Sequence, residues 1–228
     1  MSANDVQRLW EAKPLFHGQE GALASWQSQK EVLEFIRSAL RPGMASLETG
    51  CGYSTCVFAL TGSDHTCVTP AQDETRRVAD YCQENGIVTD RVSFLIGKSQ
   101  NVLPTLVDDR PLDLVYIDGT HRFPYPCLDW VYTEARLRLG GALLVDDVRI
   151  PTVRILHDFL IAETNWQLDA YIGDTAVFKK TAEADRTTDF LSQSYNRNYP
   201  DFSFLPFSTR LRRRYGRVGR WLNKGGKS

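Results

Sequence analysis

Two short runs carry the residue types best suited to chemistry. LDLVYIDGTH places Asp118 at the close of an apolar run with His121 three residues on, and LGGALLVDDV places Asp146 and Asp147 at the close of the next. Three carboxylates gathered into one small volume repel one another unless a cation neutralises them or one is protonated. Oxygen donors with positions left open suit Mg²⁺ or a similar hard divalent ion, which keeps water or substrate oxygens among its ligands. An imidazole beside such an ion is placed for proton transfer. The plainer account has Asp146 and Asp147 capping the following helix and Asp118 accepting from loop N–H groups. The D-x-x-H spacing on the preceding run favours the first account.

A third run, SLETGCGYST from Ser46 to Thr55, reads as a binding element. Its first half is a short buried strand ending at Glu48, and its second half is a turn that opens a helix at about Tyr53. Gly50 and Gly52 let the backbone bend sharply and leave room for a ligand to approach main-chain N–H groups. Ser54 and Thr55 stand where a helix N-terminus offers unpaired donors. A dinucleotide fingerprint has a third glycine where this chain has Thr55, and Glu48 at the strand end would repel a pyrophosphate. The run suits a ligand with hydroxyls and positive charge, which disfavours NAD.

These residues need a frame that delivers them to one place. Seven apolar runs read as strands: Met44–Glu48, His65–Thr69, Val92–Ile96, Leu112–Asp118, Ala142–Asp146, Gln167–Ile172 and Thr175–Lys179. Helical patterns separate the first five and follow the fifth, near Tyr53–Leu60, Asp73–Glu84, Gln100–Val107, Tyr125–Leu137 and Val153–Glu163. Such alternation predicts an α/β fold with a doubly wound, mainly parallel seven-stranded sheet covered by helices on both faces. Gly173 and Asp174 join the last two runs as a hairpin. Open parallel sheets bind ligands beyond the carboxyl ends of their strands, where Glu48, Asp118, Asp146 and Asp147 all fall.

The chain divides by pattern into an N-terminal helical cap (1–41), a core (42–181) and a C-terminal extension (182–228). The cap reads as two helices separated by KPLFHGQEG, the second near Ser25–Leu40 with Trp26, Val32, Leu33, Phe35, Ile36 and Leu40 at helical spacing. Core packing is expected for Trp26, the alternative being that His17 and Trp26 line the mouth of the site.

At 228 residues with 42% hydrophobic and 24% charged content, one well-buried domain with decorations is expected. No apolar run reaches bilayer length and MSANDVQRLWEAK lacks an apolar signal core, so the expected location is the cytoplasm. The five cysteines have no C-x-x-C spacing and read as reduced thiols.

The net charge of −1 conceals an asymmetry, because eight Lys and Arg and no acids follow Phe202, leaving 19 bases against all 28 acids in the rest. Leu211, Tyr215, Val218 and Leu222 fall at helical spacing within this basic tail, weakened by Gly216 and Gly219. An anionic membrane surface, an acidic partner or the protein's own acidic body, and plain solvent are equally compatible with it. Nucleic acid is disfavoured, since the bases are confined to one end and no reading motif accompanies them. A homo-oligomer is left open.

E-x-G-x-G-x-S-T, from Glu48 to Thr55, resembles the first motif of class I S-adenosylmethionine-dependent methyltransferases, whose donor carries an amino acid, a sulfonium and a ribose but no phosphate. DLVYIDG-x-H followed by L-x-x-GG-x-x-x-x-DD resembles the metal-dependent O-methyltransferases, and the D-x-x-H…DD form is most similar to those that methylate sugar hydroxyls on macrolides. The resemblance covers about Met44 to Lys180. It implies a Rossmann-like methyltransferase fold, S-adenosylmethionine as cofactor and a small hydroxylated acceptor. It further implies Mg²⁺ held by Asp118, Asp146 and Asp147, with His121 as general base. Donor contacts would come from Glu48, Gly50, Gly52, Ser54, Thr55, Asp73, Ser99 and Asp118.

Catechol-type relatives usually carry lysine near the position of His121, which moves this chain away from phenols. Two departures stand out. Thr69-Pro70 replaces the acid usual after the second strand, with Asp73 or Glu74 as substitutes from the next turn, and Gly97-Lys98-Ser99 replaces an acid with a base after the third. A phenol methyltransferase and a methyltransferase-fold scaffold without chemistry are the competing readings.

Overall fold

The computed structural model describes residues 4–19, 21–106, 110–184 and 189–199, with 201, 203, 205–207 and 209. Helix α1 (Asn4–Ala12) leads into a two-stranded hairpin, β1 (His17–Gln19) and β2 (Ala22–Ala24), and then α2 (Lys30–Ala39). The main body runs β3 (Ala45–Thr49), α3 (Tyr53–Thr61), β4 (Asp64–Thr69), α4 (Gln72–Glu84), β5 (Val92–Ile96) and the short α5 (Ser99–Val102), which continues as one 3₁₀ turn. It is completed by β6 (Leu112–Ile117), α6 (Tyr125–Glu134), β7 (Leu137–Val145), α7 (Pro151–Ala162), β8 (Trp166–Ile172) and β9 (Thr175–Lys180).

The predicted doubly wound sheet forms, with seven strands in the order β5-β4-β3-β6-β7-β9-β8. β3 to β7 are parallel, and β9 inserts antiparallel between β7 and β8, so the chain's last hairpin closes one edge. The order reverses between β3 and β6, where successive crossovers leave on opposite sides and open a crevice.

Side-chain alternation explains why helices cover both faces. On β6, Leu114 and Tyr116 join the cluster under α1 to α4 with Leu33, Ile36 and Phe58, whereas Val115 and Ile117 join the cluster under α7 with Val153, Leu156 and Leu160. Each such aliphatic residue, fully buried, stabilises the fold by roughly 1.5–3 kcal/mol.

The cap departs from expectation. A hairpin lies within the segment taken as a plain linker, and α2 begins at Lys30 rather than near Ser25. Trp26 adopts a left-handed backbone conformation (φ 36°) that no helix accommodates, and its side chain is 72% exposed rather than in the core. Periodicity alone extended the helix because Trp26 falls in phase with Val32 and Leu33 by type but not by backbone.

The chain forms two compact units, Met1–Ala184 and Asp185–Ser228, so residues 1–41 belong to the same unit as the sheet. In the second unit a 3₁₀ turn spans Ser194–Asn196, and Phe190 meets Tyr199 edge-to-face at 5.3 Å. The expected basic helix near Leu211–Leu222 lies outside the described residues. Among the described residues, no helix is long and apolar enough to cross a membrane. All five cysteines are free.

One buried cation fixes the start of β7. Lys180 Nζ, wholly buried, donates to the carbonyls of Glu134 (3.1 Å) and Leu137 (3.0 Å) and to Glu183 Oε2 (2.8 Å), with Glu134 Oε1 at 3.4 Å. It ties the end of α6 to the first residue of the strand that carries Asp146. Lys180→Ala is expected to lower unfolding free energy in urea by about 3 kcal/mol, because it strands buried acceptors. Lys180→Met strands the same acceptors but refills the volume, so it should cost less than Lys180→Ala by the cavity contribution alone, about 1 kcal/mol.

Candidate active site

A cavity of about 880 Å³ opens at the carboxyl ends of the parallel strands. Residues following all five of them contribute: Gly50 and Gly52 after β3, Pro70 and Glu74 after β4, Lys98 and Ser99 after β5, Asp118 and His121 after β6, Asp146 and Asp147 after β7.

Strand register sets the acidic group. β6 and β7 pair with Ile117 opposite Val145, so the next residues, Asp118 and Asp146, emerge level with each other. Asp146 N–H donates to the Ile117 carbonyl (3.0 Å) and Asp118 N–H to the Thr49 carbonyl (3.1 Å), which continues both strands by one residue. Asp118, His121 and Asp146 each offer a ligand atom, all within 4.8 Å of one another. Asp147 stands one step outside this group. Its backbone is left-handed (φ 52°), and its Oδ2 lies 3.2 Å from His121 Nδ1, while His121 Nε2 lies 3.6 Å from Asp118 Oδ1. The trio gathered most tightly therefore contains His121, where the resemblance implied Asp147.

The electrostatics follow from crowding. Burial, and then the Asp118 charge, push Asp146 up to about 7, against a donated hydrogen bond from Thr175. Burial also raises Asp118, and burial followed by the Asp146 charge raises Asp147. The neighbouring Asp118 carboxylate holds His121 above its usual range. His121 Nε2 is buried and makes no hydrogen bond. Carboxylates that resist ionisation at such close quarters fit a divalent cation, which would relieve their mutual repulsion.

The glycine turn is built tightly against this group. Gly50 has φ 105°, and a Cβ there would run into the Asp118 carbonyl. At Gly52 a Cβ would come within 2.9 Å of His17 Nε2. Glu48, expected to meet the donor, instead points beneath the turn and is completely buried. Its carboxylate accepts from Ser54 Oγ (2.6 Å) and Thr55 Oγ1 and bonds His65 Nε2 at 3.1 Å, with His65 Nδ1 2.9 Å from Ser46 Oγ. Ser54 lines the cavity but aims its hydroxyl inward, whereas Glu48 and Thr55 do not reach the cavity. These three shape the turn from below.

Asp73, the other acid expected at the donor, is about 70% exposed, pairs with Arg76 at 2.9 Å and lies off the cavity. One residue of helical rotation separates it from Glu74, which lines the cavity and lies 3.5 Å from His17 Nδ1. Ser99 lines the cavity at the start of α5, with the cationic Lys98 beside it. Trp26 and Gln29 also line it, although the sequence pattern assigned Trp26 to the core and gave no signal for Gln29. The second account of His17 and Trp26, at the mouth, is the one the coordinates match.

Residues 47–148 match the family model described as a methyltransferase domain. No curated protein matches the chain. Among solved structures, the O-methyltransferase TomG from Streptomyces achromogenes, in complex with SAM, is similar with a TM-score of 0.62 and 17% identity over 80% of this chain and 92% of its own. An O-methyltransferase from Bacillus cereus, in complex with SAH, gives 0.60 and 16% over 79% and 90%. The Podospora anserina methyltransferase PaMTH1, bound to SAH, gives 0.62 and 16% over 80% and 89%. The strand order is that of the Rossmann-like methyltransferase fold, and residues 47–148 are similar to a methyltransferase domain.

A folded-state pKa of about 7 against 3.8 means that Asp146 takes up a proton on folding. Its contribution to stability is complete below about pH 4 and is lost as pH rises through 7. Ion-free protein should therefore lose melting temperature between about pH 5 and pH 8. Asp146→Asn should flatten that decline, and added Mg²⁺ should reverse it in the wild type only, as read by scanning calorimetry.

Proposed function

We propose that this protein transfers a methyl group from S-adenosylmethionine to a hydroxyl of a sugar or similar small molecule, with the help of Mg²⁺ or a similar divalent ion. One observation carries the reading: the Asp118, His121, Asp146 group shares a single cavity with the glycine turn after β3. Held by Asp118 and Asp146, the cation would supply Lewis acidity that lowers the pKa of an acceptor hydroxyl.

The chain's own residues supply the remaining parts. Asp147 Oδ2, at 3.2 Å from His121 Nδ1, favours the tautomer with its proton on Nδ1. That leaves the Nε2 lone pair, unbonded and on the side of Asp118, to accept the acceptor's hydroxyl proton as attack proceeds. The imidazolium so formed lies between two carboxylates that stabilise it. The turn made by Gly50 and Gly52, whose own N–H groups bond the Val68 carbonyl and Thr55 Oγ1, presents the first turn of the nine-residue α3 to the donor's carboxylate. Ser99 lines the cavity on the far side of the crevice, where the donor's nucleoside would reach. Glu74 is better placed than Asp73 to accept from the ribose hydroxyls. Fixing both reactants in one crevice supplies the orientation that in-line transfer needs.

His121→Ala should lower turnover by roughly 10²- to 10⁴-fold while leaving the donor Kd within about twofold. Transfer of labelled methyl to a panel of hydroxylated acceptors, paired with calorimetric titration of S-adenosylmethionine, measures both. Unchanged turnover would remove His121 from the proton path. Loss of activity with a chelator and its return with Mg²⁺ is expected in the same assay.

A further inference from the structure

The segment between β2 and α2 crosses the crevice from one side to the other. At its near end Trp26 stacks on His17, with ring centroids 5.1 Å apart and planes at 23°. His17 in turn lies over the donor turn, close enough to Gly52 to exclude a side chain there. At its far end Gln29 reaches the β8–β9 turn, where its amide fills the space a side chain on Gly173 would need. Asp174 of that turn accepts from Val148 N–H at 2.9 Å, beside Asp146 and Asp147. Trp26, Ser28 and Gln29 thus run from above the donor turn to the acidic strand ends and line the cavity between them.

Trp26 is anomalous in two independent ways. A bulky side chain at φ 36° sits in a costly backbone region, and an indole left 72% exposed on a structured segment gains little from burial. The hairpin that presents it is anchored from below, since Arg77 Nε donates to the Phe16 carbonyl (2.6 Å) and its Nη2 to the Gly18 carbonyl (3.0 Å). Gln27 Nε2 donates to the Trp10 carbonyl at 2.5 Å and pins the residue that follows. A strained, exposed aromatic held this firmly at the mouth of a crevice is arranged for a ligand rather than for stability.

We infer that Trp26 is a specificity-determining residue that packs its indole face against the pyranose ring of the sugar acceptor. This rests on the O-methyltransferase reading of the site. The axial C–H groups of a pyranose carry partial positive charge and meet the electron-rich face of an indole, while its hydroxyls project from the rim. The rim here is polar: Ser28, Gln29, His121 and Arg122 offer hydroxyl, amide, imidazole and guanidinium groups. A flat catechol would leave most of them unused.

The variant Trp26→Gly separates this role from folding, because glycine relieves the left-handed strain and the lost indole is mostly in solvent apart from its stack on His17. Its melting temperature should stay within about 2 °C of wild type. Wild type, Trp26→Gly and Trp26→Phe, each loaded with S-adenosylhomocysteine and Mg²⁺, would be compared by saturation-transfer NMR against methyl α-D-glucopyranoside, methyl α-L-rhamnopyranoside and catechol. At least one glycoside should bind wild type, lose five-fold or more of its signal in Trp26→Gly and keep most of it in Trp26→Phe. The S-adenosylhomocysteine Kd should agree within twofold across all three. The inference is overturned by glycosides that fail to bind wild type, by catechol binding in their place, by an undiminished glycoside signal in Trp26→Gly, or by a donor-product Kd that weakens as much as the glycoside does. A wild-type protein that binds no S-adenosylhomocysteine in the first place would sink the methyltransferase reading instead.

Discussion

The site depends on the parallel pairing of three adjacent strands, β3, β6 and β7, whose ends are locked level by main-chain hydrogen bonds. Asp118 N–H bonds the Thr49 carbonyl and Asp146 N–H bonds the Ile117 carbonyl, so two acids are delivered side by side without any side chain choosing its place. A one-residue slip of β7 would turn Asp146 to the opposite face and bring Val145 into its place beside Asp118. Buried aliphatic residues on both faces resist that slip, because every apolar side chain of the strand would have to change layers with it. Hydrophobic packing thereby fixes a polar geometry it does not touch.

Beneath the glycine turn the logic is reversed, and polar groups stand inside an apolar layer. Glu48 pairs across β3 and β6 with Tyr116, whose neighbours are the leucines and phenylalanine under α3. A lone carboxylate there would be untenable, and the carboxylate is accommodated only because Ser54, Thr55 and His65 supply donors from three directions. His65 is itself sandwiched flat on Phe58 at 3.9 Å and tied to Ser46. Because Ser54 and Thr55 belong to α3, the network holds the first turn of that helix in one orientation. The N–H groups facing the crevice inherit that rigidity.

Much of this was legible in the sequence, and the exceptions have a common cause. The alternation of short apolar runs with helical patterns locates all seven strands of the sheet to within a few residues, the widest gap being β7, which starts at Leu137 rather than Ala142. Acids at strand ends are visible because the fold class dictates where strand ends point. What sequence cannot show is side-chain direction once a residue has two apolar layers or a helix face to choose from. Glu48 turns inward although it ends a strand at the crevice, and Asp73 turns outward although its neighbour Glu74 turns in. Trp26 was misread for the related reason that apolar periodicity is blind to a single left-handed residue. The short β1–β2 hairpin, with exposed and half-buried residues and no apolar alternation, carries no pattern to find.

The hairpin's dependence on Arg77 carries a further consequence. Cover and floor of the crevice derive from separate stretches of chain: residues 17–29 above, the strand ends of the sheet below, linked through a guanidinium on α4, a histidine over Gly52 and the Gln29 amide at Gly173. Substitutions in the upper stretch can reshape what the crevice admits without disturbing the strand register that aligns the acids. Such modularity lets the opening of the crevice change shape while the arrangement of acids at its base stays constant.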